Sequence, residues 1–141
     1  MEGRLAVTSG ALRGLRPQLM GDLYLSPQAG EAMEGEILRA RQAGDSVGGI
    51  LETAVTGLPP GLGEPFFASV ESQLAALLFS IPGVKGLEFG SGFRLAAMQG
   101  SQANDPFRME AGRVVTQGNN CGGILGGIAT GGSVIFRVVW A

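Results

Sequence analysis

The run Asn119 to Gly132, NNCGGILGGIATGG, holds the residue types and spacing with the clearest chemical meaning in this chain. Six glycines fall in fourteen positions, in pairs, with only Ile, Leu, Ala and Thr between the pairs. A segment built for flexibility carries Ser or other polar spacers. Apolar spacers instead predict glycines placed where main chain comes close to something packed against it. That surface is a strand, a helix or the flat face of a ligand.

The chemistry that the chain excludes is as informative. There is no histidine, which removes Ser-His and Cys-His dyads and His-rich metal sites. It also removes the one side chain that titrates near neutral pH without help. Acid–base work would need a tuned carboxylate or the single lysine, Lys85. Asp45, Glu88, Asp105 and Glu110 stand isolated, without metal-ligand spacing, so they are expected to be turn and surface acids. No catalytic residue and no metal site are predicted. Cys121 is the only cysteine and has no cationic neighbour in sequence; a small buried thiol is expected, in a reducing compartment.

Phosphate-binding signatures also fail. GGILGG lacks the Gly-Lys-Ser/Thr ending of a P-loop, and Gly90-Ser91-Gly92 lacks the third glycine of a dinucleotide fingerprint. The formal charge is −2 with scattered basic residues, which argues against nucleic acid. The N-terminus is too weakly apolar for a signal peptide and no apolar run reaches a membrane span, so a cytoplasmic location is expected.

The elements that must position the glycines are legible in part. At 141 residues and 45% hydrophobic content, the chain is expected to form one domain, residues 1–141, with its own core. Glycine makes up about 18% of it, 25 of 141, yet there is no Gly-X-Y period, so neither collagen nor disorder fits. Leu5–Val7 and Leu23–Leu25 read as short strands. Ser26-Pro27 opens a helix, as N-cap and first helical residue. Ala29, Met33, Ile37 and Ala40 share a face, and Gly44 ends it. Asp45–Gly57 reads as a strand, and 58–65 as a turn-rich connector. A second helix is predicted over about Phe66–Ser80. Its apolar stripe (Phe66, Val70, Leu74, Leu77, Leu78, Ile81) is wide enough to be covered on most sides. Ile81-Pro82-Gly83 stops it.

Val84–Phe89 and Phe93–Met98 read as a hairpin about Gly90-Ser91-Gly92, and 100–118 as an irregular excursion. The glycine run and Ser133–Trp140 form a last pair of extended segments. Apolar residues fall on both faces of that final strand, which predicts burial on both. The chain stops one residue after it, as expected of a piece of something larger or one half of an assembly. GGILETAVTG (48–57) and GGILGGIATG (122–131) agree at six of ten positions, at an offset of 74. The echo fits either a duplicated α/β unit or chance convergence of two glycine-rich strands.

In order and spacing, GDSVGGILE (44–52), GLPPGLGEPFF (57–67), LFSIPGVKGLEFGSGF (78–93), GSQANDPF (100–107) and NNCGGILGGIATGG (119–132) resemble chorismate synthase. The resemblance runs from about Ser26 to the end. It implies an α+β fold with helices packed on antiparallel sheets, part of a β-α-β sandwich. It implies an enzyme of aromatic amino acid biosynthesis that binds reduced FMN and eliminates phosphate from 5-enolpyruvylshikimate 3-phosphate to give chorismate. It further implies self-association, since the family is homotetrameric. By the same resemblance, Pro82 and Gly83, at the turn after the second helix, and Gly126, in the second glycine pair, are expected to touch the flavin. Gly122, Gly123 and Gly127 fit close strand packing equally well. The family's Gly-Glu-Ser-His-Gly segment, second histidine, Arg-Glu-Thr helix, Lys-Pro-Thr segment and late Arg-x-Asp have no counterpart here. A fragment or truncated homologue, inactive alone, is therefore expected. The alternative is a non-catalytic scaffold or oligomerisation module. A fragment would pair or aggregate through an exposed strand at Ser133–Trp140, whereas a module would cover it.

Overall fold

The structure, a computed structural model, describes residues 2–8 and 26–141. Its main sheet has four strands in the order β1 (Glu2–Thr8), β2 (Gly49–Thr56), β8 (Val134–Trp140), β3 (Val84–Phe89). β8 pairs antiparallel with both β2 and β3, whereas β1 pairs parallel with β2. Two-stranded ribbons follow from β4 (Phe107–Glu110) with β5 (Arg113–Thr116), and from β6 (Ile124–Leu125) with β7 (Ile128–Ala129). The fold is α+β, as expected. Leu5–Val7 falls inside β1; the strand expected at Leu23–Leu25 lies outside the described residues.

Alternation in β8 sets the core. Val134, Phe136 and Val138 point to one face and are buried with Ile124. Val55 and Leu58 from the β2 side and Val84, Leu87 and Phe89 from β3 pack against them. The Phe89 and Phe136 rings meet at 5.9 Å with a 51° tilt, close to the edge-to-face arrangement that aromatic quadrupoles favour. Helix α2 (Val70–Phe79) covers this face through Val70, Leu74 and Leu78. Opposite Gly49 stands Trp140, whose indole Cζ2 lies 3.0 Å from where a Gly49 Cβ would be. A side chain at 49 would displace that ring, so the strand opens on glycine.

The other face of β8 is polar at its centre, which corrects the expectation of burial on both sides. Glu52, Arg137 and Glu88 stand level across β2, β8 and β3. Arg137 Nε donates to Glu52 at 2.8 Å, and Nη1 donates to Glu88 at 2.9 Å and to the Gly90 carbonyl at 3.0 Å. Burial works against the Arg137 charge, but hydrogen bonds to Glu88 and the fields of Glu52 and Glu88 hold the guanidinium above its ordinary value. The strand is also paired along both edges, so the exposed edge expected at Ser133–Trp140 does not exist.

Several local expectations change. Helix α1 (Pro27–Gln42) is capped as read: Ser26 Oγ accepts from Ala29 N at 3.1 Å, and Gly44 turns with φ +70. Gly30 is its only buried residue, and it adds nothing to the described core. Helix α2 begins four residues later than predicted, at Val70, where Ser69 Oγ accepts from Ser72 N at 3.0 Å. Phe66 and Phe67 precede it and are 89% and 97% exposed, and Leu77 and Phe79 also face outward. The stripe is therefore covered on one side only.

The predicted hairpin after β3 is instead a 3-10 segment, Gly92–Ala97. Gly90 and Gly92 have φ of +56 and +52, and the turn is diverted across β8, with Gly90 N donating to Ile135 O at 2.9 Å. Glu88 secures the turn by accepting from Phe93 N at 3.1 Å. The stretch 100–118 contains a short helix α3 (Gly100–Ala103) and the β4–β5 ribbon. The sequence echo has no structural counterpart: 49–56 is one continuous strand, whereas 122–131 is two turns around a four-residue ribbon. Duplication of a unit is thus not the explanation.

Replacing Arg137 by Met removes the guanidinium that bridges two half-buried carboxylates. Hydrogen bonds to charged groups contribute about 1.5–3 kcal/mol, and partial exposure reduces this, so a loss of about 1–2 kcal/mol is expected. Urea unfolding of R137M against wild type measures it; Glu52→Gln should cost less.

Candidate cofactor site

The glycine run folds into two linked turns. Gly122 and Gly123 come first, both buried, with φ of +67 and +79. A Cβ on Gly122 would stand 2.9 Å from both Gly90 Cα and the Ile135 carbonyl oxygen, and one on Gly123 would strike the Ser133 carbonyl. Here main chain lies on main chain. Gly122 O accepts from Ile135 N at 3.1 Å, and Gly123 O accepts from Thr130 N at 2.9 Å and from Thr130 Oγ1 at 3.2 Å. The turn is thereby tied to the start of β8.

Gly126 and Gly127 then connect β6 to β7, with φ of +59 and +88. Positive φ at both central residues is what a two-residue ribbon turn of matching twist requires. The two glycines differ in surroundings. Gly127 is buried: its Cβ would lie 2.8 Å from Ser69 Cβ, and its carbonyl accepts from Val70 N at 3.0 Å, joining the turn to the first turn of α2. Gly126 has no atom within 4 Å of its would-be Cβ. Of these four glycines, Gly126 alone presents bare backbone to open space. The ribbon is held from behind by the 58–65 connector, with Gly61 N donating to Ala129 O at 2.9 Å and Ala129 N to Leu62 O at 2.8 Å.

Asp105 fixes the entry to the run, a role that sequence reading missed by treating it as a turn acid. It is buried, and its Oδ2 accepts from Cys121 N at 2.7 Å while Oδ1 accepts from Asn120 Nδ2 at 3.2 Å. Ser91 Oγ donates to Asn120 Oδ1 at 2.7 Å, and Asn119 Nδ2 donates to Ser133 O at 3.0 Å. Burial on its own would push the Asp105 carboxyl up. Donors from the Cys121 and Asn120 backbones and side chains overcome this and hold it below its ordinary 3.8. The same carboxylate, after burial, pushes the Cys121 thiol up from 9.0, which makes Cys121 a poor nucleophile.

Pro82 and Gly83 lie at the exit of α2, exposed and half-exposed. Gly83 has φ +89, and its carbonyl accepts from Ala141 N at 3.2 Å beyond the end of β8. Gly126–Gly127 sits at the opposite end of α2. Ten residues of helix at about 1.5 Å rise put about 15 Å between the two surfaces. Two cavities among the described residues include none of Pro82, Gly83 and Gly126 in their walls. One, of about 1040 Å³, lies between the β4–β5 and β6–β7 ribbons and is lined by Leu58, Phe107, Arg113, Leu125 and Ile128 among others. The other, of about 380 Å³, is polar and includes Glu52, Arg94, Asn120 and Arg137. Among the described residues no group of three metal-ligating side chains forms, and no helix is long and apolar enough to cross a membrane.

Three substitutions test this geometry. Gly123→Ala should cost several times more stability than Gly126→Ala, because the first adds collision with the Ser133 carbonyl to the penalty of about 1–2 kcal/mol for a left-handed residue, whereas the second carries that penalty alone; thermal unfolding compares them. Because the folded Asp105 carboxyl is more acidic than the unfolded one, its stabilisation is complete above pH 3.8 and is lost as pH falls through the depressed folded value. Asp105→Asn should therefore flatten the acid limb of a stability–pH curve. The same variant should speed iodoacetamide alkylation of Cys121 at pH 8, read by mass spectrometry.

Comparison with known proteins places these features in a family. The sequence model of the family described as chorismate synthase matches residues 20–141. The chorismate synthase of Thermococcus kodakarensis is 54% identical over 110 residues, covering 78% of this chain and 31% of that protein. That of Methanosarcina acetivorans is also 54% identical over 110 residues, covering 78% and 30%. A crystal structure of chorismate synthase superposes with a TM-score of 0.75 at 32% identity, covering 81% of this chain and 35% of that one. The chain thus spans about a third of the length of these relatives. With the family match over most of the sequence, identity near one half and the shared architecture, this chain belongs to the chorismate synthase family.

Proposed function

We propose that this chain carries part of the reduced-FMN site of a chorismate synthase, a cytoplasmic lyase of the shikimate route. The whole enzyme releases phosphate from 5-enolpyruvylshikimate 3-phosphate to form chorismate. The observation that carries the reading is the bare backbone at Gly126, open to space while Gly122, Gly123 and Gly127 around it are packed. A flat isoalloxazine ring fits beside main chain that has no Cβ bulk. Pro82 and Gly83 form a second exposed backbone surface at the other end of α2, read here as a separate flavin contact and not as the facing wall of one slot. Bound to these surfaces, reduced FMN would supply the electron-rich ring that the elimination requires.

This chain's own residues orient and support; they do not move protons. There is no histidine in 141 residues, and the Asp105 carboxylate is committed to Cys121 and Asn120 and that of Glu88 to Arg137 and Phe93, so neither of these two acids is free for acid–base work. The chain alone is accordingly read as a truncated homologue without elimination activity, and the pairing of β8 on both edges is the covered strand expected of a self-contained module. The outward apolar side chains Leu77, Phe79 and Ile81 support self-association, the state implied by a homotetrameric family.

Titration of the purified chain with reduced and with oxidised FMN tests the proposal. Expected is millimolar affinity, abolished by Gly126→Val, with no chorismate formed at any flavin concentration. Micromolar binding, or turnover by the chain alone, would overturn the reading of a partial site; unchanged binding in G126V would remove Gly126 from it.

A further inference from the structure

Among the described strands, β1 alone lies outside residues 20–141, the span this chain shares with its family. It is also the one strand of the main sheet that pairs parallel. All seven of its residues stand in register with β2, from Glu2 beside Ile50 to Thr8 beside Thr56. Parallel pairing is slightly weaker per residue than antiparallel pairing and requires a crossover connection.

In an ordinary strand–helix–strand unit the crossover helix packs on a face of the sheet and fixes the first strand beside the second. Here residues 9–48 form the connection and include α1, which makes no extensive contact with any other described element. Gly30 is its only buried residue. β1 itself has extensive contact with β2 and with no other described element. The connection therefore tethers β1 without packing it in place, and the ladder on the β2 edge does the holding. That ladder also carries a charge pattern. Arg4 stands level with Glu52, Glu52 with Arg137, and Arg137 with Glu88. Basic and acidic positions thus alternate across all four strands. A slip of one residue would set Gly3 or Leu5 beside Glu52.

We propose that β1 is an exchangeable strand: the edge of β2 takes β1 from a second copy of this chain, parallel and with Arg4 level with Glu52, to give a two-fold, strand-swapped dimer. Each edge regains in trans the ladder it had in cis, so only the tether is given up. Exchange of an identical element is a low-cost route to a closed dimer. A tether raises the local concentration of its strand to about the millimolar range, which sets where trans pairing competes. The exchange rests neither on the flavin reading nor on the outward apolar residues of α2.

Register-specific cross-linking tests it. Ala6 and Ala54 are partners in the ladder, and neighbouring strands lie about 4.7–4.9 Å apart, within the Cα separation a disulfide spans. One chain carries Ala6→Cys and another Ala54→Cys, both with Cys121→Ser. They are mixed in denaturant and refolded together at about 1 mM, where trans pairing competes with cis. Oxidation should give a heterodimer of twice the chain's mass on a non-reducing gel. Its yield should fall about tenfold or more when refolding is done at about 10 µM. The Ala6→Cys chain mixed with a Ser101→Cys chain, substituted at an exposed position of α3, is the collision control and should link far less. Arg4→Glu in the Ala6→Cys chain should lower the yield severalfold, since like charges side by side on neighbouring strands repel, whereas Arg4→Lys should keep it. A single chain bearing both Ala6→Cys and Ala54→Cys should close on itself when dilute. Closure of that chain with no heterodimer from the mixed pair would fix β1 in cis and overturn exchange. Equal linking of the control, a yield unmoved by Arg4→Glu, or the absence of both disulfides would overturn it as well. None of these readouts involves FMN, so loss of flavin binding and loss of strand exchange are read separately.

Discussion

Direct contact of main chain with main chain at Gly122 and Gly123 is the constraint on which the rest of the structure depends. Two chain passages approach closer than any Cβ permits: the turn after β3 at Gly90, and the entry to β8 at Ser133. Without that approach the 119–132 run could not hydrogen-bond to Ile135. β8 would then lack the anchor that aligns it between β2 and β3. Close approach also explains why the spacers are apolar. Ile124 and Ala129 are buried beneath the ribbon and join it to the core under α2, so the glycines place the ribbon and the spacers hold it there.

Electrostatics stabilise what sterics allow. Two half-buried ionic clusters sit on either side of the β3–β8 corner. Arg137 ties three strands together through Glu52 and Glu88, and also reaches the Gly90 carbonyl where the chain turns. Asp105 binds the start of the glycine run through Cys121 and Asn120, and Asn120 carries the link on to Ser91. The 90–92 turn is thus gripped from both directions. Hydrogen-bonding both oxygens of a buried carboxylate in this way offsets part of the cost of removing the charge from water, and it raises the Cys121 thiol as a consequence.

The parts of this fold governed by local chemistry were legible. Ser26-Pro27 specified the start of α1, Gly44 its end, and the alternation in 134–140 identified the core face of β8. Long-range competition defeated the other expectations. Gly90-Ser91-Gly92 looks like a hairpin turn, but its amides are claimed by Ile135 and Asn120, so Phe93–Ala97 cannot pair back on β3. Glu110-Ala111-Gly112-Arg113 lacks the usual Asn-Gly, and Ala111 adopts φ 48 without sequence notice, so the β4–β5 ribbon was read as irregular. Phe66 promised a helical stripe that Ser69 forestalls by capping three residues downstream. At the candidate site the value of the glycine pairs was readable, but the difference between Gly126 and Gly127 was not. That difference lies in Ser69 and Val70, more than fifty residues away, and no local pattern encodes it.

The position of β8 has a consequence for how the molecule comes into being. Chains emerge from the ribosome at about 5–20 residues per second and domains tend to fold as they appear. Among the described strands β8 comes latest in sequence and lies between β2 and β3, so β3 has no partner in this sheet, and β2 only β1, until 134–140 has been translated. For several seconds their apolar faces and unpaired edges stand open to other chains. Nascent-chain chaperones would meet this polypeptide as an unclosed sheet awaiting its middle.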